Sequence, residues 1–288
     1  RVDPSDPVCY EGLGWVSLQM NNNDEAIKLF EKSRQLSTLP DYACPYQGLG
    51  NVYTKIGIPG LAEKNFLQVI KVEPFAFKGH YELARYYYEI GELDKASDTV
   101  EKASSLIIND FDRRLALELK GFIAIMRREY DAAEEMFKDI QKKYGSSASS
   151  LAGLGHIQIA RKDYPGARAY FDDAIKENPK EEDINLRMAY LGLGWVNANE
   201  NKHRESIQYY EKVLQFDQIH MLALLGMGDA YNWLKEYAKA ESYFKRVLKI
   251  DPDNEYALAE LGTVYLNRGN SQKSEKLLEQ SLKVDNKT

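Results

Sequence analysis

The stretch YEGLGWVSLQMNNNDEAIKLF (Tyr10–Phe30) returns as YQGLGNVYTKIGIPGLAEKNF (Tyr46–Phe66), LAGLGHIQIARKDYPGARAYF (Leu151–Phe171) and YLGLGWVNANENKHRESIQYY (Tyr190–Tyr210). Weaker copies begin at His80, Leu117, Leu224 and Leu258. Starting each copy three residues before its anchor puts the repeat starts at 7, 43, 77, 114, 148, 187, 221 and 255. Self-similarity at such a period is the mark of a repeat architecture, in which each copy is one supersecondary unit. Residues 1–6 are then left over. RVDPSDP (Arg1–Pro7) matches KIDPDNE (Lys249–Glu255), so 1–6 read as the end of a preceding repeat or a linker. The closing KVDNKT (Lys283–Thr288) stops at the same phase, which suggests a piece of a longer array.

Each repeat is helical twice over. In the seventh, Leu224, Met227, Gly228 and Tyr231 lie at i, i+3, i+4 and i+7, and Ala240, Phe244 and Val247 form a second stripe. Lys235 and Glu236 between them suit a solvated turn, and Pro252 disfavours helix at the residue before it. The eighth place holds Gly14, Gly50, Ala84, Gly121, Gly155, Gly194, Gly228 and Gly262. Glycine within a helix costs about 1 kcal/mol relative to alanine, so its recurrence calls for a packing reason. The expected reason is close approach of the second helix, which brings a small residue twelve places on (Ala26, Ala62, Ala96, Ala133, Ala167, Ser206, Ala240, Ser274). Four places later comes a large one: Phe30, Phe66, Val100, Phe137, Phe171, Tyr210, Phe244 or Leu278.

With this spacing of Gly, Tyr, Ala, Phe and Pro the chain resembles the tetratricopeptide repeat (TPR) family over essentially its whole length. The resemblance implies an all-α, right-handed superhelical solenoid of helix–turn–helix hairpins, with 7–288 as one solenoid domain of eight tandem repeats. Departures exist: Lys120 stands for the usual leucine, and Ser17, Gln158 and Asn197 for the tyrosine seen at Tyr53, Tyr87, Tyr231 and Tyr265.

Composition agrees with a folded, water-facing array. Of 288 residues 44% are hydrophobic and 28% charged, too apolar for intrinsic disorder. No run of about 18 apolar residues predicts insertion into a membrane. A net charge of −6 provides no basic field for nucleic acid. No compartment is read from the chain: a cytoplasmic site is slightly favoured, with a signal or anchor upstream of Arg1 left open. Two cysteines, Cys9 and Cys44, are too few for a disulfide framework.

No catalytic constellation emerges. Gly-x-Gly pairs such as Gly48/Gly50 lack the third glycine and preceding strand of a dinucleotide site, and repeat in phase as packing residues would. His80, His156, His203 and His220 share no metal-binding spacing, and His80 falls at a core place. LysGluAsnProLysGluGluAspIleAsn at 176–185 reads as a loop between repeats. The expectation is a chain that is not an enzyme and carries neither cofactor nor metal.

What remains is the surface that stacked hairpins create, a concave groove lined by first helices. The second, fifth, ninth, twelfth and thirteenth places should face it. They hold the aromatics Trp15, Tyr81, Tyr88, Phe122, Trp195, Trp233 and Tyr256, with His156. Polar members are Gln47, Asn51, Lys55, Lys78, Arg85, Glu118, Asp229 and Asn232. Tryptophan, tyrosine and arginine are the types enriched at binding hot spots. Ordinary packing between adjacent first helices is the competing account of the aromatics. The carboxylate clamp of some family members is incomplete, with Asn51 and Lys78 at matching places but Glu11 and Trp15 in the first repeat.

The reading is therefore a non-catalytic interaction scaffold holding a partner peptide or helix. Lys55, Lys78 and Arg85 suggest an acidic segment in that partner. Alternatives are a regulatory or targeting array of a larger enzyme or regulator, and self-association through uncapped ends.

Overall fold

The computed structural model describes residues 6–37, 42–177 and 186–285. Pro4, most of the proposed loop at 176–185 and the last three residues fall outside them. The described residues form sixteen α-helices: α1 Pro7–Gln19, α2 Asn23–Leu36, α3 Cys44–Lys55, α4 Pro59–Val72, α5 Phe77–Glu89, α6 Leu93–Ser105, α7 Asp110–Met126 and α8 Tyr130–Tyr144. They continue as α9 Ala148–Ala160, α10 Tyr164–Glu177, α11 Arg187–Asn199, α12 His203–Phe216, α13 Met221–Trp233, α14 Tyr237–Ile250, α15 Glu255–Asn267 and α16 Ser271–Asp285.

Local chemistry sets the helix starts. Asp6 caps α1 by accepting from the Val8 amide at 2.9 Å, followed by Pro7, whose missing donor costs nothing at a first position. Ser147 and Ser150 form a reciprocal capping box on α9, and Asn254 caps α15. The fourth repeat departs from the expected start at 114. Asn109 accepts from the Asp112 amide and starts α7 at Asp110, a polar cap that the hydrophobic phase alone does not register.

The turn inside each hairpin is built the same way eight times. At its fifteenth place the backbone is left-handed: Asn21, Gly57, Gly91, Arg128, Lys162, Asn201, Lys235 and Gly269. The following amide then reaches back to the carbonyl five residues earlier, as from Asp163 to Gln158 (2.9 Å) and from Glu236 to Tyr231 (2.9 Å). This closes the first helix and launches the second.

The recurring glycines are explained by the rings between them. A Cβ on Gly14 would meet the Phe30 ring at 2.7 Å, and one on Gly50 the Phe66 ring at 2.8 Å. Sixth-place glycines close on the same rings from the next hairpin: Gly48 on Phe30, Gly192 on Phe171 and Gly226 on Tyr210. The pairs Gly48/Gly50, Gly153/Gly155, Gly192/Gly194 and Gly226/Gly228 thus each face two different rings, their own hairpin's and the preceding one's, whereas Gly12 has open space. Phe30, Phe66, Phe137, Phe171 and Phe244 are all but fully buried.

The chain packs as two compact units, 1–136 and 137–288. Nearest-neighbour packing is the physical reason, since an array's core is a string of local clusters. The N-terminal unit has one cluster around Phe30 and another around Phe66, Phe77 and Tyr86. In the C-terminal unit they surround Phe171, Tyr190 and Tyr210, and then Phe244. The tyrosine surplus is partly structural. Tyr87 donates to Glu63 and Tyr265 to Glu241, each at 2.7 Å, tying the first helix of a hairpin to the second helix of the preceding one.

Candidate functional site

In the N-terminal unit most of the expected groove residues are engaged within the protein, Tyr88 with Phe122 and Arg85 with Asn51 among themselves and others with neighbouring residues. Trp15 is half-buried, edge-on to Phe30 with ring centroids 5.2 Å apart, and its Nε1 donates to Glu11 at 3.3 Å. Glu11 also accepts from the Tyr42 hydroxyl, and burial plus this carboxylate push that phenol up to about 12. Tyr81 stacks on Phe77 (5.4 Å), its hydroxyl raised to about 12 chiefly by burial, and Tyr88 leans on Phe122 (6.3 Å). Gln47 and Glu118 are corrections to the predicted surface, since each is only 7% exposed.

The basic field expected there is largely spent internally. Arg85 pairs with Glu82 at 2.8 Å and donates to Asn51 Oδ1 at 3.1 Å. Lys55 donates to the Leu18 carbonyl at 3.0 Å. Lys78 is exposed. His80 lies half-buried against the Pro74 carbonyl (3.0 Å), not deep in the core.

The C-terminal unit is different in character. His156 is a packing residue: its Nε2 donates to the Met188 carbonyl (3.1 Å) and its ring sits edge-on to Phe171. Burial lowers it to about 4, which keeps it neutral near pH 7. Trp195 is 38% exposed although it touches Tyr164, and Trp233 is 69% exposed, stacked on His203 with ring centroids 5.4 Å apart. Asn232 accepts from Asn267 at 3.4 Å.

Asp229 accepts from the Tyr256 hydroxyl at 2.9 Å. Burial drives its carboxyl up to about 7, the hydrogen bond opposes this, and the charge on Glu260 adds to it. Burial raises Glu260 as well. Leu222 and Tyr256 at second places are 60% and 50% exposed. Leu222 and Glu260 were not among the predicted site residues. Their signal was present at the second and sixth places, but an apolar second-place residue looks like core, and Glu260 stands where a repeat glycine is the norm.

Known proteins bear on this arrangement as follows. Three family models, each described as tetratricopeptide repeat, match residues 124–182, 189–220 and 220–287. The chain belongs to the tetratricopeptide repeat family, and its fold class is the all-α TPR solenoid. It is 30% identical over 112 residues to tetratricopeptide repeat domain-containing protein PYG7, chloroplastic, of Arabidopsis thaliana, covering 39% of this chain and 37% of that protein. With tetratricopeptide repeat protein 6 of Homo sapiens it shares 25% identity over 210 residues, 69% of this chain and 37% of the relative. The chain thus spans little more than a third of the length of either. The crystal structure of the APC/C hetero-tetramer Cut9-Hcn1 contains a chain that aligns with a TM-score of 0.64 at 15% identity. That alignment covers 91% of this chain and 50% of that one, a likeness of fold. Proteins of this family serve in general as protein–protein interaction scaffolds. Among the described residues, no helix is long and apolar enough to cross a membrane.

Proposed function

We propose that this chain is a non-catalytic scaffold that holds a peptide or helix of a partner protein against the first-helix faces of its hairpins. The observation that carries the reading is the exposure of Trp195 and Trp233 in the C-terminal unit, where two large indoles remain in water on the face a partner would cover. In the N-terminal unit the internal pairs of Arg85 and Lys55 leave Lys78 as the main support for an acidic partner segment. The test is capture by the chain from lysate of its source cells, repeated with Trp195→Ala/Trp233→Ala. Loss of the captured protein with helical circular dichroism intact is expected. Capture that survives both changes would place the binding surface elsewhere.

Two other readings rest on their own observations. Coverage of 37% of each relative favours a regulatory or targeting array within a larger protein, a matter that the full gene decides. Self-association draws support from the outer helices. Leu278 on α16 is 37% exposed where its counterpart Phe244 is buried, and Leu13 on α1 is 45% exposed where Leu49 is 1%.

A further inference from the structure

The first helices of the C-terminal unit differ from ordinary solvated faces in both apolarity and charge. Leu222, Tyr256 and Trp195 are exposed on α13, α15 and α11. At the second, fifth, ninth, twelfth and thirteenth places of the last four repeats there is no lysine or arginine. The charged side chains of this face are Asp229 and, one place after a fifth-place alanine, Glu260. No described cation pairs with either, whereas Glu82, Glu118, Glu200 and Glu241 each have a lysine or arginine in ion-pair range.

We propose that this face, formed by α11, α13 and α15, binds a partner segment carrying one arginine between apolar side chains, with the guanidinium seated at Asp229 and Glu260. The proposal rests on the scaffold reading and names the chemistry of the partner. The exposed apolar residues are the anchor sites, and complementary charge sets register and excludes acidic segments. A guanidinium suits the place better than an ammonium. It is planar and less strongly hydrated, can take both oxygens of a carboxylate, and stacks on aromatic faces such as that of Tyr256, which touches Asp229.

Burial raises both half-buried carboxyls, Asp229 to about 7, and no described cation pairs with either to offset it. Asp229 is faced by Tyr256 and Glu260 from α15 and by Tyr210 from α12, and no group on α11 or α14 shifts it. An arriving guanidinium replaces the missing positive charge and displaces the proton. Binding of the arginine segment therefore weakens as pH falls through the neutral range.

The experiment titrates the chain with fluorescein-labelled nonapeptides in which leucine or phenylalanine flanks a central arginine, citrulline or glutamate. At a pH of about 8 the arginine peptides should bind about ten-fold more tightly than their citrulline twins. That preference should collapse in Asp229→Asn and shrink in Glu260→Gln, with circular dichroism unchanged, and narrow at a pH of about 5.5. Equal binding of arginine and citrulline peptides, tighter binding of glutamate peptides, or a preference that survives both variants overturns the proposal. If citrulline and arginine peptides bind alike and Trp195→Ala abolishes both, the scaffold reading stands and the arginine site falls. Absence of binding by every peptide of the panel also overturns the arginine site, leaving the scaffold reading to its capture test.

Discussion

Asp229 is costly where it stands. Its folded carboxyl titrates at about 7 against an ordinary 3.8, so the folded state favours the protonated form. The stabilisation that this proton brings is complete below about pH 4 and is lost as pH rises to about 7. His156 runs the other way. Lowered from 6.5 to about 4, it adds stability above about 6.5 that is lost as pH falls towards 4. Asp229→Asn isolates the first effect, because an amide oxygen can still accept from Tyr256. Thermal unfolding followed by circular dichroism should show a Tm raised by about 2–4 °C at a pH of about 8, the shift that about 1 kcal/mol produces in a chain of this size. Near pH 4 the variant and parent should melt together, and an equal gain at both pH values would refute the assignment. The position of Asp229 on the exposed face was legible from its ninth place. Its raised carboxyl was not, because that depends on burial by surrounding helices, with the charge of Glu260 from the next hairpin added, outweighing the opposing Tyr256 hydrogen bond. The same applies to Gln47 and His156, whose places matched the rule while neighbouring helices covered them.

In the hairpin, the same place in different repeats can ask opposite things of one residue type. Gly12 has open space where a Cβ would go, whereas a Cβ on Gly192 would run into the fully buried ring of Phe171. Gly12→Ala should therefore stabilise by up to about 1 kcal/mol, the helix-propensity difference. Gly192→Ala should destabilise by about 1–3 kcal/mol, the usual range for overpacking. Urea unfolding of the two variants gives both signs in one experiment, and a gain at Gly192 would mean that the ring is not clamped. The turns allow a similar comparison. Lys162 holds a left-handed backbone (φ 64°) at the place where Gly57, Gly91 and Gly269 hold it without a side chain. Lys162→Gly should raise stability by about 0.5–1 kcal/mol, since the left-handed region penalises a Cβ. A lower urea midpoint for that variant would count against it. The helices and their order were readable from apolar phase and small-residue spacing. The early start of α7 escaped because a polar cap, Asn109, sets it.

At the scale of the molecule, an apolar side chain on each of the outermost described helices meets water. Leu278 on α16 and Leu13 on α1 are the exposed members of otherwise buried series. If these faces stack copy on copy, the weight-average mass in sedimentation equilibrium should rise with concentration and return to the monomer value in Leu278→Glu. A monomeric mass for the parent chain at every concentration would remove this reading. The amino-acid order alone determined that the chain is an array of helical hairpins. A period of 34 to 39 residues with small and large side chains at set places has one economical packing, ring against glycine, and that packing is local. The partition into two compact units, the pairing that consumes Arg85 and Lys55, and the lack of a described ion pair at Asp229 and Glu260 emerged only on folding. Each depends on side chains brought together from repeats about 34 residues apart, and a periodic pattern says where a side chain stands without saying which neighbour will reach it.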